Sequence, residues 1–526
     1  MIKKDKELED GKELQKNILR EKEKGTPDIE IGRKYGVTFK YIEKVITNSK
    51  GLNISSLKVS KKIKTLCPKD FKEEQTSIWS FKQRGNWATH SGEYRGNWSP
   101  YIPRNVILKY SKPGELVLDY FCGAGTTAVE SKLLGRKCIA VDINENAIDL
   151  AKKNLNFQIS EQRPLFENEK KPLKIYEPNL LVGDARNLKF LQDNSVDFIC
   201  SHPPYANIIQ YTDSKKGDLS FLDEDKFLEE MRKVAKESFR VLKPGRQCAI
   251  LIGDMRQKRH VIPLGFELIN VYLDTGFKLR ELVIKRQHNC KTTGFWYANS
   301  IKYNFLLLAH EYLPIFEKPI SPLPSYINDR GLDYSLIFPA IEKPPLKRKL
   351  KEFETTTVWI LPEKDFEKQL NKNVIDRYSS QKKYSIITFV SHAENRGYSL
   401  EIKEKKELIF FKSPFLNNST SREEIETYLQ NLKGTLYKEL SSVVNGGFIA
   451  IQTRDVRIDK FIEPIAKKLI DLLKYENDLW LREIVVVTTD KLNQKKDNSN
   501  DFLDIAHQYL IVYEVRRGGE NGNERS

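Results

Sequence analysis

The stretch 115-ELVLDYFCGAGTTAVESKLLGRKCIAVDIN-144 decides how this chain folds. It opens on a short apolar strand, Leu116–Asp119, and turns through Gly123 and Gly125. It then enters a helix whose first turn carries Thr126 and Thr127. Glycines at such a turn let backbone approach a ligand closely, and the free N–H groups of a helix start favour an anionic group. A second strand, Cys138–Val141, ends in Asp142. That acid follows the first strand by about 20 residues, where a doubly wound sheet places an acceptor for ribose hydroxyls. A third candidate, "LLVGDAR", sets Asp184 and Ala185 at another strand end. Strand, glycine turn, helix, strand and acid in this order predict an α/β fold of the Rossmann-like kind, with its ligand at the C-terminal ends of parallel strands.

A dinucleotide site calls for G-x-G-x-x-G, whereas the turn here reads G-A-G-T-T without the third glycine. A nucleoside lacking a pyrophosphate fits better, which points to S-adenosylmethionine. The residues expected around it are Asp119, Phe121, Cys122, Gly123, Gly125, Thr126, Thr127, Asp142, Ile143, Asp184 and Ala185.

Downstream, "SVDFICSHPPY" (195–205) reads as a fourth strand whose C-terminal end faces the same crevice. Pro203 and Pro204 fix their own φ and restrict the residue before each, so nearby carbonyls point in set directions. Tyr205 can lay its ring against a planar ligand. Such a site suits an exocyclic amine held between a backbone carbonyl and a polar side chain. Cys200 reads as a core thiol.

With these residues the chain resembles the amino-methyltransferases of DNA, which act on cytosine N4 or adenine N6. Their donor signature, D-P-F-x-G-x-G-T, is matched by "DYFCGAGTT" with Tyr120 replacing proline. Their catalytic tetrad, S/D/N-P-P-Y/F/W, is matched by "HPPY". The upstream "SIWSFKQRGNWATHSGEYRGNWSPYIPRNVILKYS" (77–111) resembles the family segment that closes over the donor, which implies roles there for Trp98, Tyr101 and Ile102. "PPYANIIQY" and "HEYLPIFEK" are most similar to the cytosine-N4 branch. The resemblance implies a class I S-adenosylmethionine-dependent fold and a catalytic group of Ser201, His202, Pro203, Pro204 and Tyr205. It departs at His202, where the cytosine-N4 branch carries serine and the adenine-N6 branch aspartate or asparagine. Either a neutral His202 nitrogen accepts from the amine, or Ser201 turns inward and His202 stacks or contacts DNA. A tetrad that is not DPPY favours cytosine N4 over adenine N6.

The rest of the chain sets the organisation. Among 526 residues, 88 Lys and Arg outweigh 72 Asp and Glu, and a net charge of +16 suits a polyanionic partner. Six cysteines show no metal-ligand spacing and read as reduced thiols. No run of about 18 apolar residues occurs, and a cytoplasmic location is expected. Residues 1–64 look helical, and "TPDIEIGRKYGVTFKYIEKVITNSKG" has the grammar of a helix-turn-helix, with Gly36 at the turn. Val37, Ile42 and Val45 face its core, leaving Thr38, Phe39, Lys40 and Lys44 for DNA. The catalytic domain is expected over 65–318, a proline-rich and then basic linker over 319–352, and a polar tail over 517–526.

Residues 353–516 hold a faint repeat of the catalytic domain. "TSIW" at 76–79 recurs as "TTVW" at 356–359, "GDMRQKRHVIP" (253–263) as "RDVRIDKFIEP" (454–464), "LRELVI" (279–284) as "LREIVV" (481–486), and "AHEYLPIFE" (309–317) as "AHQYLIVYE" (506–514). This segment has lost the turn glycines and the tetrad, and so reads as a degenerate methyltransferase-like copy. The combined expectation is a methyltransferase acting on cytosine N4 of duplex DNA, with a cognate restriction endonuclease as partner. The alternatives are adenine-N6 methylation, RNA base methylation, or DNA binding by a retired core.

Overall fold

The computed structural model describes residues 13–517 apart from several stretches, chiefly 38–40, 46–62, 160–172, 206–216, 289–298, 321–353, 390–394, 399–404, 414–419 and 491–500. Thr38, Phe39, Lys40 and Lys44 lie outside the described residues, as do most of the expected linker and the tail. Near the N-terminus, helix α1 (Asp28–Tyr35) ends at Gly36, whose φ of 64° is one that glycine adopts without strain. Ile18, Ile31, Ile42 and Val45 bury one another there, with Val37 against them.

Two mixed sheets follow. The first comprises β1 (Ile78–Trp79), β2 (Leu116–Asp119), β3 (Lys137–Asp142), β4 (Asn179–Val182), β5 (Val196–Ser201), β6 (Leu242–Ile250), β9 (Lys278–Arg286) and β10 (His310–Glu317), in the order β1-β9-β10-β6-β5-β2-β3-β4. Strands β6, β5, β2, β3 and β4 run parallel, and β10 lies antiparallel between β6 and β9. The small hairpin β7 (Met255–Gln257) and β8 (His260–Ile262) sits between β6 and β9 in the chain.

The covering helices are α2 (Tyr101–Tyr110), α3 (Thr126–Leu133), α4 (Glu145–Leu155), α5 (Glu224–Val241) and α6 (Leu264–Asp274). Asp223 caps α5 by accepting from Lys226 N–H, and Phe227, Leu228, Met231, Val234, Ala235 and Val241 form its buried stripe. All eight residues of α3 are buried, because β3, α2 and α4 enclose it.

The second sheet comprises β11 (Val358–Leu361), β12 (Tyr384–Phe389), β13 (Asn395–Tyr398), β14 (Lys406–Lys412), β15 (Val443–Thr453), β18 (Leu479–Thr489) and β19 (His507–Val515), ordered β11-β18-β19-β15-β14-β12-β13. Six strands thus follow the order of the first sheet. The sheets differ at the end, where β13 pairs antiparallel with β12 in the place that β3 occupies parallel to β2. A matching hairpin, β16 (Val456–Ile458) and β17 (Phe461–Glu463), sits between β15 and β18. Helices α7 (Phe366–Tyr378), α8 (Arg422–Leu440) and α9 (Ile465–Leu473) complete the unit.

The two units interlock by paired contacts. Arg256 on β7 meets Glu483 on β18 at 2.5 Å, and Arg457 on β16 meets Glu281 on β9 at 2.5 Å. Glu483 also accepts from Leu306 N–H, and Glu281 from Leu503 N–H. The His310 Nδ1 lies 2.9 Å from Thr357 Oγ1, and the His507 Nδ1 lies 2.8 Å from Ser77 Oγ. Each unit therefore sends a short segment across, and Leu307 bridges Thr356 as Asp504 bridges Thr76.

Removing one partner of a buried ion pair strands the other charge at a cost of about 3–5 kcal/mol. Arg256→Met and Arg457→Met are each expected to lower the unfolding free energy by about that much in chemical denaturation. A loss confined to one of them would mean that the two halves of the interface are not energetically equivalent.

Candidate active site

The site begins where β2 ends. Asp119 is buried, takes a 2.6 Å hydrogen bond from Ser201 Oγ–H, and accepts from Phe121 N–H at 3.1 Å. Phe121 N–H also reaches Ser201 Oγ at 3.1 Å, so the ends of β2 and β5 are clamped together. Burial raises the Asp119 pKa to about 6 against these bonds. Tyr120, at the signature's proline position, drops into the core, where its hydroxyl lies 2.9 Å from Ser238 Oγ and 3.1 Å from Tyr272 OH.

Beyond it the chain turns through Gly123 and Gly125, at φ 49° and 82°. A Cβ on Gly125 would sit 2.9 Å from the Ala151 Cβ, so the close approach of α3 to α4 and the backbone conformation both require glycine. Gly123 N–H and Asn144 N–H donate to the two oxygens of Asp142, at 2.9 and 2.8 Å. Burial raises Asp142 to about 6. Asp184 accepts from the Arg186 backbone N–H and guanidinium. Burial opposes its ionisation, yet Arg186 holds it below the ordinary range.

These elements form the floor of a cleft with about 740 Å³ of empty space, part of it open to solvent. One wall comes from the upstream segment. There Arg84 donates to the carbonyls of Asn97 (2.5 Å) and Trp98 (2.7 Å), fixing the backbone that presents the Trp98 ring. The other wall is the tetrad. His202 stacks on Trp98 with centroids 5.5 Å apart and 21° between planes. Its Nε2 lies 3.1 Å from Tyr205 OH, and that hydroxyl donates to Glu311 Oε1 at 2.6 Å. Lys285 Nζ reaches the other Glu311 oxygen at 2.6 Å. Burial pushes His202 down to about 4, so the imidazole is neutral at neutral pH. Burial opposes ionisation of Glu311, but Lys285 together with His202 and the Tyr205 hydroxyl outweighs it and brings the carboxyl to about 2.

Of the residues expected from sequence, Trp98, Phe121, Cys122, Gly123, Asp142, Ile143, Asp184, Ala185, His202 and Pro204 line the cleft. Ser201 and Asp119 do not: their side chains bond each other behind the wall, so His202, beside Pro204, is the polar side chain that the tetrad turns to the cleft. Tyr101 and Ile102 depart from expectation as well. Tyr101 stacks on Phe81 and packs edge-on to Trp87, and Ile102 is fully buried, since α2 faces the sheet. Gly125, Thr126 and Thr127 support the floor from the start of α3, where Thr126 Oγ–H bonds the Asn97 side chain. Pro203 is buried, and Tyr205 packs against the core. Sequence reasoning missed Tyr94, Asn97, Asn144 and Asp218 in the lining, and missed Lys285 and Glu311 behind it. Two charged residues inside the apolar runs "LVIKR" and "HEYLPIFE" were the available signal for the last pair.

A cleft of this kind can hold a nucleoside. Asp142 offers its remaining lone pairs to hydroxyls, Phe121 and Ile143 offer apolar faces, and the glycine turn brings backbone close. Among the described residues no helix is long and apolar enough to cross a membrane.

Comparison with known proteins agrees with this geometry. A family model described as DNA methylase matches residues 2–153 and 196–396, and a methyltransferase-domain model matches residues 111–261. S-adenosylmethionine is the methyl donor these matches imply. Type II methyltransferase M2.LlaDCHI of Lactococcus lactis subsp. cremoris is 34% identical over 87 residues, 16% of this chain and 31% of that protein. Type II methyltransferase M.HinfI of Haemophilus influenzae is 31% identical over 149 residues, 26% and 40% of the two chains. A tRNA (guanine(10)-N2)-dimethyltransferase of Methanothermobacter thermautotrophicus is 31% identical over 114 residues, 22% and 29%. The chain spans 31%, 40% and 29% of these relatives' lengths.

Gly125→Val combines an adverse φ with a clash against Ala151. It is expected to weaken S-adenosylmethionine binding at least ~10-fold in calorimetry, the effect of about 1.4 kcal/mol. Unchanged affinity would remove the glycine turn from the donor site.

Proposed function

Since the chain belongs to the DNA methylase family, we propose that it methylates an exocyclic amine of duplex DNA, cytosine N4 rather than adenine N6. One observation carries this reading: the His202-Pro203-Pro204-Tyr205 turn leaves β5 into the same cleft that Phe121, Gly123 and Asp142 line. When bound, S-adenosylmethionine supplies a methyl group activated by its sulfonium. The chain's own residues supply the rest. Asp142 would receive the ribose hydroxyls, Phe121 and Ile143 would flank the adenine, and Trp98 would close the wall. Neutral His202 and the Pro203 carbonyl accept from the two N–H bonds of the amine. Those bonds strengthen as positive charge develops on nitrogen, which is preorganised electrostatic stabilisation. The target base must leave the duplex to reach them.

The preference for cytosine N4 rests on the tetrad, which carries no aspartate or asparagine before the prolines. DNA contact belongs to the segment around Gly36, with Thr38, Phe39, Lys40 and Lys44 of the sequence, and to the net positive charge. Residues 353–516 are a diverged copy that no longer binds donor and instead orients DNA. The chain then acts as the modification half of a restriction–modification pair. Methylation of RNA is a second reading, favoured by the similarity to the tRNA dimethyltransferase.

Incubating the full chain with labelled S-adenosylmethionine and mixed genomic DNA, followed by nucleoside analysis, tests the proposal. N4-methylcytosine is the expected product. N6-methyladenine would overturn the base assignment, and label appearing only in RNA would overturn DNA as substrate. Calorimetry on the full chain is expected to give one donor site, and two sites would overturn the role assigned to residues 353–516.

A further inference from the structure

The shared strand order lets one unit serve as an internal reference for the other. Ile315 of β10 pairs with Ala249, and Val512 of β19 pairs with Ala450. Tyr312 faces Ile284 as Tyr509 faces Val486. In that register Arg256 corresponds to Arg457, Glu281 to Glu483, Asp254 to Asp455, His310 to His507 and Tyr312 to Tyr509. These identical pairs hold the framework and the interface between the units.

Three neighbouring positions behave differently. Lys285, paired across from Glu311, corresponds to Val487, which is paired across from Gln508. Cys200 and Phe410 both sit beside the matching alanines, and in the sequence Phe415 follows Phe410 by the same five residues that separate Tyr205 from Cys200. The matched positions of the second unit thus carry valine and glutamine in its sheet and phenylalanine in its sequence, with no lysine, glutamate or tyrosine among them. The comparison also shows that this strand pair does not need them: β18 and β19 build the same pairing with valine and glutamine. Burying a carboxylate and an ammonium carries a desolvation penalty that their attraction must repay. Glu311 is 6% exposed, so a pair the sheet can do without calls for another reason.

That reason lies in the chain Lys285–Glu311–Tyr205–His202. An ionised carboxylate can only accept, so the single hydroxyl hydrogen of Tyr205 is spent on Glu311. The Tyr205 oxygen is then left to accept from His202, whose Nε2 stands 3.1 Å away. A neutral imidazole has one N–H, and with that hydrogen on Nε2 the lone pair is on Nδ1. We propose that Glu311, held by Lys285, is a positioning residue that fixes the Tyr205 hydroxyl and, through it, the tautomer in which His202 meets the substrate amine. The inference rests on the proposed amine methylation for its consequence, though not for its geometry.

The charged and polar groups facing His202 are Glu311 from β10, Lys285 from β9, Arg84 and the Gly96 carbonyl from the upstream segment, and Tyr205. Glu311 and the Gly96 carbonyl favour the protonated ring, and Lys285 and Arg84 disfavour it. In Glu311→Gln the loss of the carboxylate beside the ring moves the acid limb of the kcat–pH profile to lower pH. A merely structural role would leave that limb in place.

The decisive variant is the double exchange Lys285→Val with Glu311→Gln, which installs the solution that the second sheet already uses. It is expected to keep the unfolding midpoint and the affinity for S-adenosylmethionine while kcat falls roughly 10- to 100-fold, the loss seen in metal sites when the partner that orients a histidine is removed. Gln508→Ala is the position-matched control and leaves kcat unchanged. Histidine ¹⁵N spectra of the full chain, with His202→Asn for assignment, are expected to show Nε2–H alone in the wild type and a tautomer mixture in the double variant. A double variant within about twofold of wild-type kcat, with the same tautomer, would overturn the positioning role. If the wild type transfers no methyl to DNA while the tautomer responds as expected, the proposed function fails and the role of Glu311 stands.

Discussion

One buried carboxylate, Glu130, fixes the architecture of the cleft. It lies in the wholly buried helix α3, directly after the glycine turn, and accepts from Trp87 Nε1 (2.7 Å), His90 Nε2 (2.7 Å) and Arg104 Nη1 (2.8 Å). Burial alone would protonate it, yet Arg104 and His90 hold its pKa below the ordinary value. Trp87 and His90 precede the wall residues Asn97 and Trp98, and Arg104 follows them. The wall is therefore pinned at both ends to the helix that forms the floor. A change anywhere in this knot strands a charge buried away from solvent, so floor and wall are coupled by desolvation.

The second constraint is the join between the units. The paired Arg–Glu contacts and the exchanged segments relate the two sheets as the halves of an isologous dimer would be related. In such an interface each half supplies the same groups, and here the repeated residues are the ones that build it. The departure falls elsewhere. Strands β3 and β4 extend the first sheet in parallel and leave strand ends facing a crevice, whereas antiparallel β13 presents no such end. The Leu306–Ala309 segment that leans on Thr357 runs directly into His310 and Glu311. The start of β10, and with it the anchor of Tyr205, is thus set partly by the neighbouring unit.

Much of this was legible in the sequence. The first strand ran Leu116–Asp119 as expected, because Gly114 and Gly123 punctuate an apolar run. Asp142 and Asp184 came out at the cleft since strand–acid spacing is set by backbone geometry. The repeated blocks showed in the sequence because buried ion pairs tolerate few replacements. What stayed hidden depended on contacts between residues far apart in the chain. Nothing local marks Glu130 as the partner of Trp87, His90 and Arg104, or Glu311 as the partner of Tyr205. Tyr101 and Ile102 were expected at the ligand because the segment around them is there. Helical periodicity instead turns those two toward Trp87 and the sheet.

The substitution of histidine into the tetrad becomes intelligible once Ser201 is seen to be occupied. Its hydroxyl closes the clamp between Asp119 and Phe121, and turning it into the cleft would leave a buried carboxylate short of a donor. The next residue must supply the polar group, and it emerges beyond the end of the strand. A serine there would be small, and the space between Trp98 and Tyr205 would stand open. An imidazole fills that space by stacking on Trp98, and burial keeps it neutral, so in the proposed reaction its nitrogen lone pair takes the place of the accepting hydroxyl or carboxylate. A neutral ring is useful only if the right nitrogen carries the hydrogen. A histidine in this position therefore demands an orienting partner that a serine would not, and Tyr205 on Glu311 is the partner the fold provides.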